Sequence, residues 1–163
     1  MGFTTRIINP DRLIDKFIGK EGLFENSPFD ESTRQIISKS KLPLGILLDK
    51  DLQSVNRVFL PIFRTEDAYL IDYAQKLIHN NNSTISILDI NGQIKNNFMI
   101  QNAVEALEKT YEKNSTILSD TSVKSEFLLK QDLMIISLES WKNLVESQSV
   151  WLSNVPSVLI IKP

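Results

Sequence analysis

Short runs of apolar residues alternate along the chain with stretches in which apolar residues recur every three or four positions. The runs are rich in β-branched or aromatic residues and lie at residues 57–63, 84–90, 133–136 and 158–161, with a weaker one at 116–119. Such near-continuous runs are typical of strands covered on both faces, as in a parallel sheet. The pattern therefore predicts five parallel strands, counted one to five along the chain.

The stretches between these runs are predicted to be helices. One opens at Thr65, which is expected to be its N-cap, and Glu66 and Asp67 follow in its first turn, where the helix dipole favours anions. Further helices are predicted at residues 97–113, 123–129 and 141–152. Strand–helix alternation of this kind favours right-handed crossovers and an open α/β sheet.

The first fifty residues break this rhythm, with short helices predicted at 11–18 and 30–38 and a closing strand at 44–48. Residues 40–48 align without a gap to residues 153–161, with one serine and one proline identical. Two interpretations stay open. Residues 1–50 are the tail of a preceding, truncated α/β repeat before a domain at 51–163, or both segments are ordinary helix–loop–strand units.

The composition and net charge of the chain argue against several classes of function. The 163 residues are 42% hydrophobic, enough for a core, and a net charge of −2 disfavours nucleic acid as a partner. The absence of cysteine excludes disulfides and thiolate chemistry, and the single histidine, His79, is expected to be a solvated surface residue. No metal site is predicted, because Asp49 and Asp51 have no third oxygen ligand spaced nearby. The longest apolar runs are far shorter than the roughly 20 residues of a membrane span, and no signal peptide is recognisable.

Several segments resemble a known family. They are SPFDESTRQIISKSKLPLGILLDK at 27–50, RVFLPI at 57–62, DLMIIS at 132–137 and WLSNVPS at 151–157. Together they resemble the cytoplasmic C-terminal region of bacterial monovalent cation:proton antiporters, the Na⁺/H⁺ exchangers of the second cation:proton antiporter family, whose tails carry universal-stress-protein-like domains. The resemblance covers nearly the whole chain as a pattern of segments rather than one diagnostic motif.

The resemblance implies a Rossmann-like parallel sheet of order 3-2-1-4-5, attached in the full-length protein to a membrane transporter domain. We therefore expect a cytoplasmic domain tethered to the inner membrane. Strand five would be a sheet edge, and the strand at 44–48 is expected to lie antiparallel beside it, within the chain or swapped from a partner. The expected partners are the transporter domain and a second copy, paired through edge strands as a homodimer.

Universal stress proteins often bind ATP, so the resemblance requires a test against the residues. Nucleotide-binding members follow strand four with Gly-x-x-Gly, about nine residues, and then Gly-Ser or Gly-Thr, since small residues let backbone N–H groups approach phosphates. Here residues 137–153 contain no glycine, and Glu139 adds negative charge. The acidic residue with which those members end strand one is also missing from Pro61–Arg64. We expect no ATP and no other cofactor.

A weak ligand site is still predicted beyond the carboxyl ends of strands one and four, where ligands bind in open α/β sheets. The candidate ligand-binding residues are Phe63, Arg64, Ser137, Ser149 and, at the end of strand two, Asp89. The alternative is that Phe63 and Trp141 are core packing and that Asp89 begins a turn. No serine lies near a recognisable base, so no catalytic residue is predicted.

These observations favour a non-catalytic regulatory or dimerisation domain of a cation:proton antiporter. One alternative is a stand-alone nucleotide-binding protein of the universal stress type. Another is an enzyme of the α/β hydrolase or nucleotidyl-transfer type, for which the sequence offers no nucleophile, base or phosphate loop.

Overall fold

The computed structural model describes residues 4–8, 31–118 and 123–163. Within these ranges seven strands form one sheet in the order β1-β2-β7-β6-β3-β4-β5. The strands are Thr4–Ile8 (β1), Leu44–Asp49 (β2), Arg57–Ile62 (β3), Thr84–Asp89 (β4), Ser115–Leu118 (β5), Leu133–Ser137 (β6) and Ser157–Lys162 (β7). The helix predicted at 11–18 lies outside the described residues.

The sheet is mostly parallel. β3 runs parallel to β4 and β6, β4 to β5, and β6 to β7, whereas β2 is antiparallel to β7 and β1 is antiparallel to β2. The predicted α/β class with an open, mostly parallel sheet is therefore confirmed. The strand β1 was not predicted, because its five residues gain their strand geometry from pairing with β2, about forty positions further along the chain.

Helices cover both faces of the sheet. They are Glu31–Lys39 (α1), Leu70–Asn81 (α2), Gln93–Asn96 (α3), Phe98–Thr110 (α4), Ser125–Leu129 (α5) and Leu138–Glu146 (α6). Apolar residues of α2 and α4 pack with Val58 and Leu60 on one face, and those of α1, α5 and α6 pack with Phe59 and Met134 on the other. Because successive side chains of a strand point to opposite faces, β3 contributes to both halves of the core.

Two of the predicted helices have wrong boundaries. The helix expected to open with Thr65 as N-cap begins instead as a 3-10 turn, Thr65–Tyr69, whose N-cap is Arg64, and α2 follows it. The helix expected at 141–152 begins earlier, at Leu138, because the Ser137 hydroxyl caps it. It ends at Glu146, and the left-handed backbone of Gln148 separates it from a 3-10 turn at Val150–Ser153. Side-chain caps and left-handed residues set these ends rather than apolar periodicity.

The strand predicted at 44–48 corresponds to β2, which pairs with β7 inside the same chain. Strand five of the sequence, now β7, is therefore not an edge, and β1 and β5 form the two edges of the described sheet. Residues 31–50 share this sheet with the rest of the described chain and contribute to both halves of the core, Leu47 on the Val58 face and Ile37, Ile46 and Leu48 on the Phe59 face.

The gapless alignment of 40–48 with 153–161 does not match the geometry of the β2–β7 pair. Ile46 aligns with Leu159, but Ile46 packs on the Phe59 face of the sheet and Leu159 on the opposite face. The local twofold axis of an antiparallel pair keeps each residue on its own face, and a shift of one residue exchanges the faces. The aligned residues are therefore not related by that axis.

Lys162 joins the end of β7 to the end of α1. Its Nζ donates hydrogen bonds to the carbonyls of Ile37, at 2.7 Å, and Ser40, at 2.8 Å. A cation at a helix C-terminus also interacts favourably with the helix dipole. We expect Lys162→Met to lower the free energy of unfolding by about 1–3 kcal/mol, because two carbonyls lose a charged donor. Urea denaturation measures this loss.

Lys142→Met is the matched control, since Lys142 pairs across 3.3 Å with Glu139 on a solvent-exposed helix surface. Such pairs contribute about 0–1 kcal/mol. Equal losses in the two variants would contradict a specific role for Lys162.

Candidate functional site

Near the centre of the sheet, the connections that follow two neighbouring parallel strands run to opposite faces. β3 and β6 lie side by side there, and the chain leaves β3 towards α2 on one face and leaves β6 towards α6 on the other. In open α/β sheets the crevice beyond the carboxyl ends of two such strands is where ligands bind. We refer to this place as the switch point.

The carboxylate of Asp67 fills the switch point. Asp67 is fully buried. Its Oδ2 accepts hydrogen bonds from the backbone N–H groups of Phe63 and Arg64, both at 3.2 Å, and from the Ser140 hydroxyl at 2.9 Å. Its Oδ1 lies 3.4 Å from Nη2 of Arg64. A carboxylate removed from water is tolerated when it is paired and hydrogen-bonded in this way.

The first turn of α6 supplies a further hydrogen-bond donor to this carboxylate. The Ser137 Oγ accepts the N–H of Ser140 at 3.2 Å and so caps the helix. The Ser140 side chain remains able to donate its hydroxyl to Asp67, which lies 73 positions away in the sequence. The negative charge lies close to a helix N-terminus, where the dipole is favourable. The end of β3 and the start of α6 are thereby joined across the end of the sheet.

The structure brings three of the five predicted site residues into this network. Phe63 and Arg64 donate their backbone N–H groups to Asp67, and buried Ser137 positions Ser140. The ring of Phe63 is half-buried and lies 5.8 Å from the Trp151 ring.

The other two predicted residues act in local caps. The Ser149 Oγ accepts the N–H of Trp151 at 3.3 Å and opens the 3-10 turn at Val150–Ser153. The Asp89 carboxylate accepts the N–H groups of Ile94 at 2.9 Å and Lys95 at 3.2 Å. Between Asp89 and α3 the chain turns through Asn91 and Gly92, which both have positive φ.

Sequence reasoning missed the central roles of Asp67 and Ser140. The sequence identifies Asp67 only as an acid in a first helical turn. An acid three residues after the last extended residue has the spacing of a capping box, and this signal could have identified it. No local signal points to Ser140, because its contact with Asp67 exists only when β3 and β6 are neighbours.

Tyr69 extends the network to β7. Its hydroxyl donates to the carbonyl of Ile161 at 2.9 Å. Burial of the side chain, followed by the negative charge of Asp67, raises the pKa of Tyr69 far above its ordinary value. The neutral phenol is therefore the form that fits this position.

A cleft of about 350 Å³ lies at the opposite end of the parallel strands. Lys50 and Asp132 are among its lining residues. Burial lowers the pKa of Lys50, whose Nζ donates to the carbonyl of Val155 at 2.5 Å. The Oδ2 of Asp132 accepts the N–H groups of Asn56 and Arg57, both at 2.9 Å. These contacts connect strand ends, and they lie away from the end of the sheet where α/β folds place their ligands.

The described part of the chain contains neither a cluster of metal-ligating side chains nor a helix that could span a membrane. Residues 4–8, 31–118 and 123–163 contain no group of three or more His, Asp or Glu side chains that could hold a metal ion. Among the helices within these ranges, none is both long enough and apolar enough to cross a bilayer. His79 is exposed near the end of α2.

Comparison of the chain with protein-family models, with curated proteins and with solved structures finds no match in any of the three.

The Ser140–Asp67 contact predicts a specific loss of stability. Ser140→Ala removes a hydroxyl donor from a buried carboxylate, and hydrogen bonds to charged groups contribute about 1.5–3 kcal/mol. We expect the free energy of unfolding, measured in urea, to fall by this amount. Ser147→Ala removes a hydroxyl that donates to the neutral carbonyl of Leu144 at 3.2 Å near the exposed end of α6, and should cost less, about 0.5 kcal/mol. Similar values for both variants would argue against the network.

The raised pKa of Tyr69 predicts that the free energy of unfolding falls at alkaline pH. Because the folded state holds the phenol proton more tightly, the contribution of Tyr69 is present below about pH 10, the ordinary tyrosine pKa, and is lost as pH rises above it. At neutral pH, Tyr69→Phe should lower the free energy of unfolding by about 0.5–1.5 kcal/mol through loss of its hydrogen bond. In urea denaturation at increasing pH, the free energy of unfolding of the wild type should approach that of the variant. A constant difference would contradict the pKa direction.

Proposed function

We propose that this chain is a non-catalytic cytoplasmic regulatory and dimerisation domain of a monovalent cation:proton antiporter, with a universal-stress-protein-like fold. The observation that carries the proposal is the buried Asp67 carboxylate at the switch point. A fixed negative charge occupies the crevice in which related α/β folds bind ligands, so a regulatory role that needs no nucleotide there is favoured.

The sheet supports the fold part of the proposal. Along the sheet, β5, β4, β3, β6 and β7 follow one another, which is the order 3-2-1-4-5 when these strands are counted along the chain. This is the arrangement that the resemblance to antiporter tails implies.

The residues after β6 support the absence of nucleotide binding. Residues 137–153 contain no glycine, so no backbone segment there is free of side chains in the way a phosphate loop requires. The Ser137 hydroxyl is used as a helix cap, and Glu139 lies exposed in the first turn of α6. A polyphosphate would meet the negative charges of both Glu139 and Asp67.

We place the homodimer contact of this proposal at β1. An edge strand presents unpaired N–H and C=O groups that pair readily with another strand. β1 has five residues and β5 has four, so β1 offers the longer edge. In the full-length protein, the transporter domain would tether such a dimer to the inner membrane.

One sample tests both parts of the proposal. Calorimetric titration with ATP, ADP and cyclic dinucleotides should give no binding heat, and light scattering should give twice the mass of one chain. Hydrogen exchange at increasing protein concentration should add protection at residues 4–8 and leave residues 115–118 unchanged.

Tight nucleotide binding would overturn the proposal in favour of the stand-alone nucleotide-binding stress protein. A mass of one chain at all concentrations would remove the dimerisation role. Added protection at 115–118 alone would contradict the assignment of the contact to β1.

A further inference from the structure

Four hydrogen-bond donors converge on the Asp67 carboxylate. They are the backbone N–H groups of Phe63 and Arg64, the Arg64 guanidinium and the Ser140 hydroxyl. Backbone N–H groups, a guanidinium and a hydroxyl are the donors with which proteins commonly bind small oxyanions. None of them belongs to Asp67 itself.

Phe63 and Ser140, which supply two of these donors, have supports that do not involve Asp67. The Ser137 hydroxyl caps α6 and fixes the backbone of Ser140. Phe63 directly follows β3, and its ring packs against Trp151. In addition, the Nε of Arg64 is buried and has no hydrogen-bond partner among the described residues, so the guanidinium holds a donor in reserve. The backbone N–H groups and the Ser140 hydroxyl are therefore expected to keep their arrangement when the Asp67 side chain is shortened.

We propose that the switch point is an oxyanion-binding site that the chain occupies with its own Asp67 as an internal ligand, and that small carboxylates are the class of ligand it takes when this side chain is removed. The inference starts from the same buried Asp67 as the proposed function but goes beyond it, because it concerns the donors around Asp67 and not the partners of the domain.

The size of the vacated space follows from the substitution. Asp67→Ala removes only the carboxylate group and keeps Cβ, so the missing atoms correspond to formate. Asp67→Gly removes the methylene as well, and the missing atoms correspond to acetate. Formate should therefore be the better ligand for the alanine variant and acetate for the glycine variant.

The test is urea denaturation of the 163-residue chain in sodium formate, acetate or chloride at equal ionic strength. A ligand that binds only the folded state at about ten times its Kd raises the folded-to-unfolded ratio about tenfold. We expect a shift of this size for Asp67→Ala in formate and for Asp67→Gly in acetate, compared with chloride. Wild type, whose site is occupied, should show no difference between the three salts.

Two controls separate binding from general salt effects. Asp72 lies exposed in the first turn of α2, so Asp72→Ala should show no preference for carboxylates. Asp67→Asn keeps the space filled with an amide and should also show none. If Asp67→Ala is unfolded without additives, refolding in formate should recover folded protein, and refolding in chloride should not.

Three results would overturn the inference. One is a formate effect on Asp67→Ala no larger than that of chloride in both denaturation and refolding. Another is the same carboxylate preference in Asp67→Asn or Asp72→Ala. The third is a preference of the alanine variant for acetate over formate, because it would place the anion outside the space left by the side chain.

Discussion

A carboxylate sealed from solvent must find all its hydrogen bonds inside the protein, and Asp67 finds them in two segments far apart in the sequence. This requirement fixes the end of β3, the 3-10 turn before α2 and the first turn of α6. Tyr69, two residues after Asp67, adds a hydrogen bond to the last residues of β7. The elements that meet at the carboxyl end of the sheet are thus positioned by one negative charge and its donors.

The same charge bears on what the domain can do. The crevices of open α/β sheets bind ligands because unpaired donors point into them. Here Phe63, Arg64 and Ser140 direct their donors at the chain's own carboxylate. The donors at the place where this fold class commonly binds ligands are therefore already occupied by the chain itself. This favours a function that depends on the surface and the sheet edges rather than on a pocket.

The extent to which the sequence predicts this structure depends on how local each signal is. The α/β class and four of the five predicted strands are predictable because burial on both faces of a strand requires apolar residues at consecutive positions. The edge strand β5 is partly exposed and has the weakest apolar run. The extra strand β1 and the Ser140–Asp67 contact are not predictable, since each depends on residues brought together only by the finished sheet. The ends of α2 and α6 fall between these cases. Caps such as Ser137 are local, but the preference for a cap competes with the apolar periodicity around it.

Carboxylates hold β3 at both ends, and burial distinguishes Asp67 from Asp132. Asp132 accepts two successive backbone N–H groups, of Asn56 and Arg57, where β3 begins, just as Asp67 accepts those of Phe63 and Arg64 where it ends. Asp132 is partly exposed, so water can replace either partner at little cost. Asp67 is sealed from solvent and has in addition a guanidinium and a hydroxyl. Because Asp67 is buried, removing its carboxylate leaves several donors unpaired. An external anion can then bind to these donors.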